Sequence, residues 1–377
     1  MRESGILMHI TSLPAPYGIG TMGKDAYAFV DFLVKAGQRY WQILPLTPTG
    51  YGDSPYQSLG ACAGNHYLID LDTLADEGLL KKEEIQNVSW GNNPKRVDFG
   101  AMYAHRMAVL RLAFQRFAPD ETYEAFVEQN RSWLEDYALF MALKGSLGGK
   151  PWLDWPEDLR LRKADALAEK RRELSEEIGL QYFVQYEFDR QWKALRGYAN
   201  AKGVRIIGDV PIYVPLDSAD VWANPELFQL DERRHPKRVA GCPPDSFTAD
   251  GQLWGNPIYD WKKMAQTHYS WWIQRLTAAG KLYDVIRLDH FRGFESYWSV
   301  PAGDTTARNG KWVKGPGMDF IRAIRQALPN LEFIAEDLGF VTPEVRKLQQ
   351  DSGYPGMKVL EFAFDSREES DYMPHLY

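Results

Sequence analysis

Short apolar runs recur along the chain, each ending in polar residues and several leading into a segment with helical periodicity. Gly5 to Ile10 (GILMHI) precedes a Gly/Pro loop and then KDAYAFVDFLVKAG, where Tyr27, Val30, Leu33 and Val34 share one helical face and Gly37 supplies the stop. Tyr40 to Leu46, Val204 to Val210, Asp284 to Leu288, Leu331 to Ala335 and Met357 to Phe364 are the further runs. Between the last three lie DFIRAIRQALP, with Phe320, Ile324 and Leu328 at helical spacing, and TPEVRKLQQDSG. The latter opens on a Thr cap with Pro343 at the first helical position and closes on Gly353. Strand alternating with helix predicts a parallel α/β sheet, and strands with apolar bodies and charged C-terminal ends predict a (β/α) barrel whose chemistry sits on that rim.

Two stretches break the alternation. Residues 73–200 read as a mostly helical insertion beside the barrel: Met107, Leu110, Phe114 and Phe117 mark one helical face, and Val184, Phe188, Trp192 and Leu195 another. This divides the chain into a first part of the barrel at 1–72, the insertion at 73–200, and the rest of the barrel at 201–377. The second stretch, 211–260, is rich in Pro, Gly and Asp, and excursions of that length are usually functional or disordered. Because it contains Trp222, Phe228, Phe247 and Trp254, a functional, substrate-facing loop is expected.

Three strands finish on an acid: Asp209, Asp289, and Glu336 with Asp337. A single acid at a strand end is most often a cap or an ion-pair partner, whereas three on sequential barrel strands converge on one face. Paired carboxylates are what glycosidic chemistry needs, one ionised to attack the anomeric carbon and one protonated to give the leaving oxygen its proton. Arg287 lies two residues before Asp289 and so faces the same side of the strand, where a guanidinium favours an ionised aspartate. Glu336 follows Ile334 and Ala335 and adjoins Asp337; a dry pocket or a like charge raises its pKa, as a proton donor requires.

Composition narrows the partners. A net charge of −7 without a basic stripe argues against nucleic acid. With a mean hydropathy of −0.43 and no apolar run of about 18 residues, the chain is expected to be cytosolic and not to engage a membrane. Two cysteines, Cys62 and Cys242, exclude a disulfide framework and fit a reducing compartment. His9 and His290 have no second histidine at ligand spacing, so no metal is expected, and no phosphate-binding glycine loop calls for a nucleotide cofactor. The 13 Trp and 20 Tyr serve mainly a core, but such rings also stack on sugars.

Eight stretches then carry a family resemblance: ILMHITSLPAPYGIG, GDSPYQS, IIGDVPIYV, DVWANPELF, PPDSFTADGQLWGNPIYDW, RLDHFRGF, FIAEDLG and YPGMKVLEFAF, running from residue 6 to residue 364. Together they closely resemble the 4-α-glucanotransferases of the amylomaltase or disproportionating-enzyme type, relatives of the α-amylases. The resemblance implies a (β/α)8 TIM barrel with helical insertions. It also implies transfer of a segment of an α-1,4-glucan to another glucan or to glucose through a covalent intermediate, without a cofactor. By motif, Asp289 would be the nucleophile and Glu336 the acid/base, with Asp209, Arg287 and His290 holding the adjacent sugar and Asp337 beside them. Ser54, Tyr56, Gln252 and Trp254 would line subsites for maltooligosaccharides, or merely shape their own loops.

Small departures from the pattern are His66, Ser246 and Glu361. A larger one is that the family continues into a strand with a His-Asp-Asn motif, whose aspartate stabilises the transition state, whereas this sequence ends at Tyr377 after about six countable strands. The expectation is that a chain ending there is poorly soluble or catalytically feeble and that the working enzyme is longer. An α-1,4-glucan hydrolase using the same two carboxylates, and a glucan-binding chain without turnover, are the alternatives.

Overall fold

The computed structural model describes residues 3–364 and 372–376, apart from 51, 94, 246, 247 and 340. Ser246, Phe247 and Tyr377 therefore lie outside the described residues. Among the described residues nine strands follow in chain order: β1 (Gly5–Leu7), β2 (Tyr40–Gln42), β3 (Arg205–Val210), β4 (Arg238–Cys242), β5 (Gln252–Pro257), β6 (Val285–Leu288), β7 (Ser296–Pro301), β8 (Lys311–Lys314) and β9 (Glu332–Ala335).

Five of them form one parallel sheet in the order β1-β2-β3-β6-β9. Its register sets Asp209 opposite Arg287 and Arg287 opposite Ile334, so these side chains share the concave, inner face. The outer face carries Trp41, Ile206, Ile286, Leu288 and Phe333, all buried, with helices Ser175–Ala201 and Ser270–Leu282 packed on this side. This is the sheet of a (β/α) barrel, with apolar residues under the helices and charge gathered where the strands end. Among the described residues β1 and β9 have no strand on their far sides, and a cavity of about 900 Å3 lies between them, lined by Leu7, Gln42, Ile207, Val285 and Ile334.

The run Met357 to Phe364 is not the sixth strand that its apolar residues predict. Among the described residues one backbone bond reaches β9 from just ahead of this run, the Ala335 N–H donating to the Pro355 carbonyl at 2.8 Å. The Met357 N–H then goes to the Asp337 carboxylate at 2.7 Å, which takes the chain off the ladder, and Leu360–Phe364 is a 3-10 helix. The helix Lys24–Lys35 forms as expected and Gly37 ends it at φ +71°, but its buried line is Ala26, Val30 and Leu33; Val34 points to solvent. Pro343–Ser352 is capped by the Thr342 hydroxyl, which accepts from the Val345 N–H, and closed by Gly353 at φ +68°.

Residues 73–200 are helical, dominated by Phe99–Phe114, Glu121–Ser146 and Ser175–Ala201. Leu110, Val184, Phe188, Trp192 and Leu195 are buried in one hydrophobic core that is continuous with the barrel's. The stretch 211–260 is more ordered than a Pro/Gly-rich loop implies. It supplies β4 and β5 to an antiparallel sheet of order β5-β4-β7-β8. Trp222 and Phe228 are core residues rather than substrate-facing ones: Trp222 packs at a tilt against Phe140 and edge-on against Trp155, and donates its Nε1–H to the Leu159 carbonyl at 3.0 Å.

At the bottom of the parallel sheet the Asp284 carboxylate accepts from the Ile206 N–H at 2.7 Å and from Arg196 Nη2 at 2.6 Å, tying β3 to the helix Ser175–Ala201. Higher up, Gly208 makes room for a ring: a Cβ there would overlap the buried ring of Tyr283. Gly208→Ala is expected to destabilise the protein by about 1–3 kcal/mol, the usual cost of overpacking a core. Denaturant unfolding of the variant against the parent measures this, and an unchanged midpoint would refute the packing argument.

Candidate active site

The carboxylates meet because β3, β6 and β9 are neighbours in register, so their C-terminal ends open on the same rim. Arg287 is the joint. Its Nη1 donates at 2.7 Å to Asp209 and at 2.7 Å to Asp289, one guanidinium nitrogen bridging two strand ends. Its Nε–H points at Met357 Sδ, 3.1 Å away. Burial works against its charge, but Asp209 and Asp289 outweigh that and hold its pKa above the ordinary arginine value.

The two aspartates differ in access. Asp209 has a side chain 2% exposed and accepts a second bond, 2.7 Å from the Tyr56 hydroxyl; the Asp289 side chain is 27% exposed. Burial pushes the Asp209 carboxyl above its usual range, with Asp289 adding to that push and Arg287 and Tyr56 opposing it. Burial and then the nearby Asp209 likewise raise the Tyr56 hydroxyl, so it stays a protonated donor.

Glu336 is fixed by backbone. Its Oε2 accepts from the His290 N–H at 2.8 Å and its Oε1 from the Leu338 N–H at 2.9 Å. Its pKa is nevertheless raised, first by burial and second by the charge of Asp289. Of the two causes anticipated, the dry pocket is present, but the like charge is Asp289 rather than the adjoining Asp337. Asp337 turns to the 353–357 segment, bonding the Met357 N–H and packing where a Cβ on Gly356 would have to go.

His290 sits in the left-handed region at φ +49°, a conformation costly for a residue with a Cβ and retained where the surroundings over-determine it. Here the Glu336 bond and the ring contacts do so: the Trp254 indole meets the imidazole edge-on at 4.8 Å. Burial, reinforced by Arg292, lowers the imidazole pKa to about 3, so the ring is neutral, and its buried Nε2 has no hydrogen-bond partner among the described residues.

Gln252 and Trp254 face this rim from β5, with the Trp254 Nε1–H donating to Gln252 Oε1 at 3.1 Å. Ser54 shapes a turn, its hydroxyl accepting from the Tyr56 N–H at 3.3 Å. Asp209, Asp289, Arg287, His290, Glu336, Tyr56 and Trp254 are thus joined in one chain of contacts, Gln252 borders it, and Ser54 and Asp337 act on their own loops. Sequence reasoning did not single out Met357 or Tyr213, whose ring lies 6.4 Å from that of Trp254. Both lie inside stretches that carry the family pattern, but nothing in their spacing points to a role.

A partly buried glutamate of raised pKa beside an arginine-paired aspartate on a parallel barrel rim fits one class: a barrel enzyme of glycosidic bonds. Comparison with known proteins narrows it. The family model described as 4-alpha-glucanotransferase, of glycoside hydrolase family 77, matches residues 8–377. The chain is 50% identical to the 4-alpha-glucanotransferase of Clostridium butyricum over 98% of its length and 77% of that protein's, and 51% identical to that of Thermus thermophilus over 100% and 75%. The solved amylomaltase of Streptococcus agalactiae in complex with acarbose superimposes with a TM-score of 0.96 at 46% identity, covering 100% of this chain and 77% of that one. The chain belongs to the 4-alpha-glucanotransferase family.

Asp289→Asn removes the second cause of the raised Glu336 pKa and leaves the burial. Glu336 is therefore expected to titrate at lower pH in the variant, while remaining above an ordinary glutamate. Carboxyl 13C chemical shifts followed through a pH titration read this directly; an unmoved or higher Glu336 value would show that Asp289 does not act on it.

Proposed function

We propose that this 4-α-glucanotransferase works by double displacement with net retention, Asp289 as nucleophile and Glu336 as acid/base. The observation that carries the assignment is the pairing of Asp289 with Arg287 next to a partly buried Glu336 whose pKa is raised. Arg287 donates to Asp289, which matches the demand for an ionised attacking group, whereas burial and Asp289 favour the protonated form of Glu336.

In the first step an Asp289 oxygen attacks the anomeric carbon of an α-1,4-glucan, and the bond to the leaving O4 breaks as Glu336 delivers its proton to that oxygen. The products are a glucosyl ester on Asp289, a released glucan and a Glu336 carboxylate. In the second step that carboxylate takes the proton of an acceptor 4-hydroxyl, whose oxygen displaces Asp289 and restores the α-linkage. In this mechanism Asp209 and the neutral imidazole of His290 bind hydroxyls of the sugar at the reacting carbon, a reading supported by the bond that orients Asp209 from Tyr56. Trp254 offers its ring to a sugar face at a neighbouring subsite, and Gln252 a side-chain amide.

Glucose and short maltooligosaccharides are the expected acceptors, and glycogen- or starch-derived chains the expected donors. Two free cysteines fit a cytoplasmic setting. Among the described residues no helix is long and apolar enough to cross a membrane.

Maltotriose supplied alone separates transfer from hydrolysis: transfer yields longer maltooligosaccharides together with glucose, while glucose and maltose without any longer product would reject the transferase reading. Glu336→Gln is expected to lose most activity on natural glucans and far less on substrates with good leaving groups, accumulating a glucosyl adduct on Asp289 visible by mass spectrometry. Equal loss on both substrates with no adduct would remove Glu336 from the acid/base role. Trp254→Ala should weaken long maltooligosaccharides more than maltose, by roughly 1–3 kcal/mol if one stacked ring is lost; a uniform loss across chain lengths would instead indicate collapse of the β5 region.

A further inference from the structure

The antiparallel sheet has two faces, and the rim chemistry accounts for only one side of it. Tyr297 and Ala240 point inward and are buried against the main core, with Val313 packed beside them. On the other face the register draws Trp312, Trp298, Gly241 and Leu253 into one row across all four strands. Trp312 is 38% and Leu253 37% exposed, unusual for large apolar residues on a sheet that has a complete small core of its own. That core is Val239, Val300 and Ala307, with Trp298 packed on it and fixed by a 2.8 Å bond from its Nε1–H to the Ala307 carbonyl.

The row is built rather than incidental. The Arg292 guanidinium, only 6% exposed, lies 3.8 Å from the centre of the Trp312 ring, and Trp298 meets Trp312 edge-on at 5.2 Å. One side of the Trp312 indole is thus braced by a cation and its edge by another indole, fixing the ring while leaving it in contact with water. Gly241, buried at the middle of the row, has no room for a Cβ, which would strike the Gln252 carbonyl, so the exposed parts of the row are its ends, Trp312 and Leu253. The row is also continuous with the catalytic rim by two routes. Leu253 sits on β5 between Gln252 and Trp254, which face the rim, and Arg292 follows His290 by two residues.

We infer that this outward face, centred on Trp312, is a second glucan-binding surface that holds a stretch of a long α-1,4-glucan chain outside the catalytic cleft. The inference rests on the 4-α-glucanotransferase reading for its ligand. The side of the rigid Trp312 indole away from Arg292 suits the C–H face of a glucose unit, with the exposed Leu253 at the far end of the row as a further apolar contact for a long chain. A chain anchored here is kept close to the cleft, which raises its effective concentration there only when the glucan is long enough to reach both places.

The test compares amylose, which is long enough, with maltotriose, which is not. In Trp312→Ala the half-saturating amylose concentration is expected to rise about fivefold or more, the loss of one stacking contact, while kcat/KM for maltotriose stays within about twofold of the parent. Trp312→Phe should retain most of the amylose affinity, and Leu253→Ala, at the far end of the row, should show a smaller loss confined to amylose. If Trp312→Ala fails to fold, judged by circular dichroism and melting, the latter two variants decide the matter alone. An equal effect on both substrates, or none on amylose, overturns the proposal, as does a loss of self-association on sedimentation, which would assign the face to a second copy of the chain. Failure of the parent itself to disproportionate maltotriose would instead reject the transferase reading, so the two failures are distinguishable.

Discussion

The Arg287 guanidinium between Asp209 and Asp289 is the contact around which the rim is organised. Two carboxylates at the ends of adjacent parallel strands repel each other, and burying Asp209 adds a desolvation cost; a single cation bonded to both offsets these together. The bridge also divides access to solvent between the two acids. Asp209 is enclosed and held by Tyr56, whereas Asp289 keeps part of its side chain in solvent and leans its charge on Glu336. The difference between the acids thus comes from packing, not from residue type.

The fold supplies that packing through unrelated parts of the chain. Residues from the 50s, from β3, from β6 and from β9 converge because the strands are neighbours, while Trp254 arrives from the antiparallel sheet that branches off between β3 and the strand pair β7-β8. The left-handed turn at His290 connects the two systems. It lets one residue give its N–H to Glu336 and its ring to Trp254, and then leads through Arg292 to the outward face of the second sheet. Cleft and outer face are therefore mechanically adjacent, although their side chains look in opposite directions.

The proposed acid–base pair and the inferred glucan surface accordingly lie in different sheets. Charge pairing in the parallel sheet joins groups whose distances are fixed by strand register. The aromatic surface of the antiparallel sheet is the part to which we assign the presentation of a polymer, through contacts that tolerate a sliding chain. A hydrogen-bonded site discriminates sharply, while stacking on flat rings is permissive, and the separation allows both properties in one enzyme.

Much of this was legible in the sequence. Alternating apolar runs and helical faces give a parallel barrel, because period and burial derive from side-chain direction alone, and Asp209, Asp289 and Glu336 each stand where a strand ends. Arg287 on the same face as Asp289 is likewise a matter of two-residue spacing. Other features required neighbours distant in the chain. Met357 to Phe364 has the composition of a strand, yet the bond from Met357 to Asp337 takes it off the ladder. Trp222, Phe228 and Trp254 look alike in a Pro/Gly-rich stretch, and only packing puts the first two in the core and the third against His290. The four-stranded antiparallel sheet was hidden because its short strands, β8 above all, are interrupted by turns and carry little apolar alternation. Which like charge raises Glu336 was also undecidable locally: Asp337 adjoins it in sequence, but adjacent residues at a strand end point apart, and the partner is Asp289, brought in by the next strand. Sequence by itself determined the periodicities and the kinds of groups at the strand ends. Tertiary structure decided which of those groups share a dry space, because electrostatic coupling falls with distance through space, not along the chain.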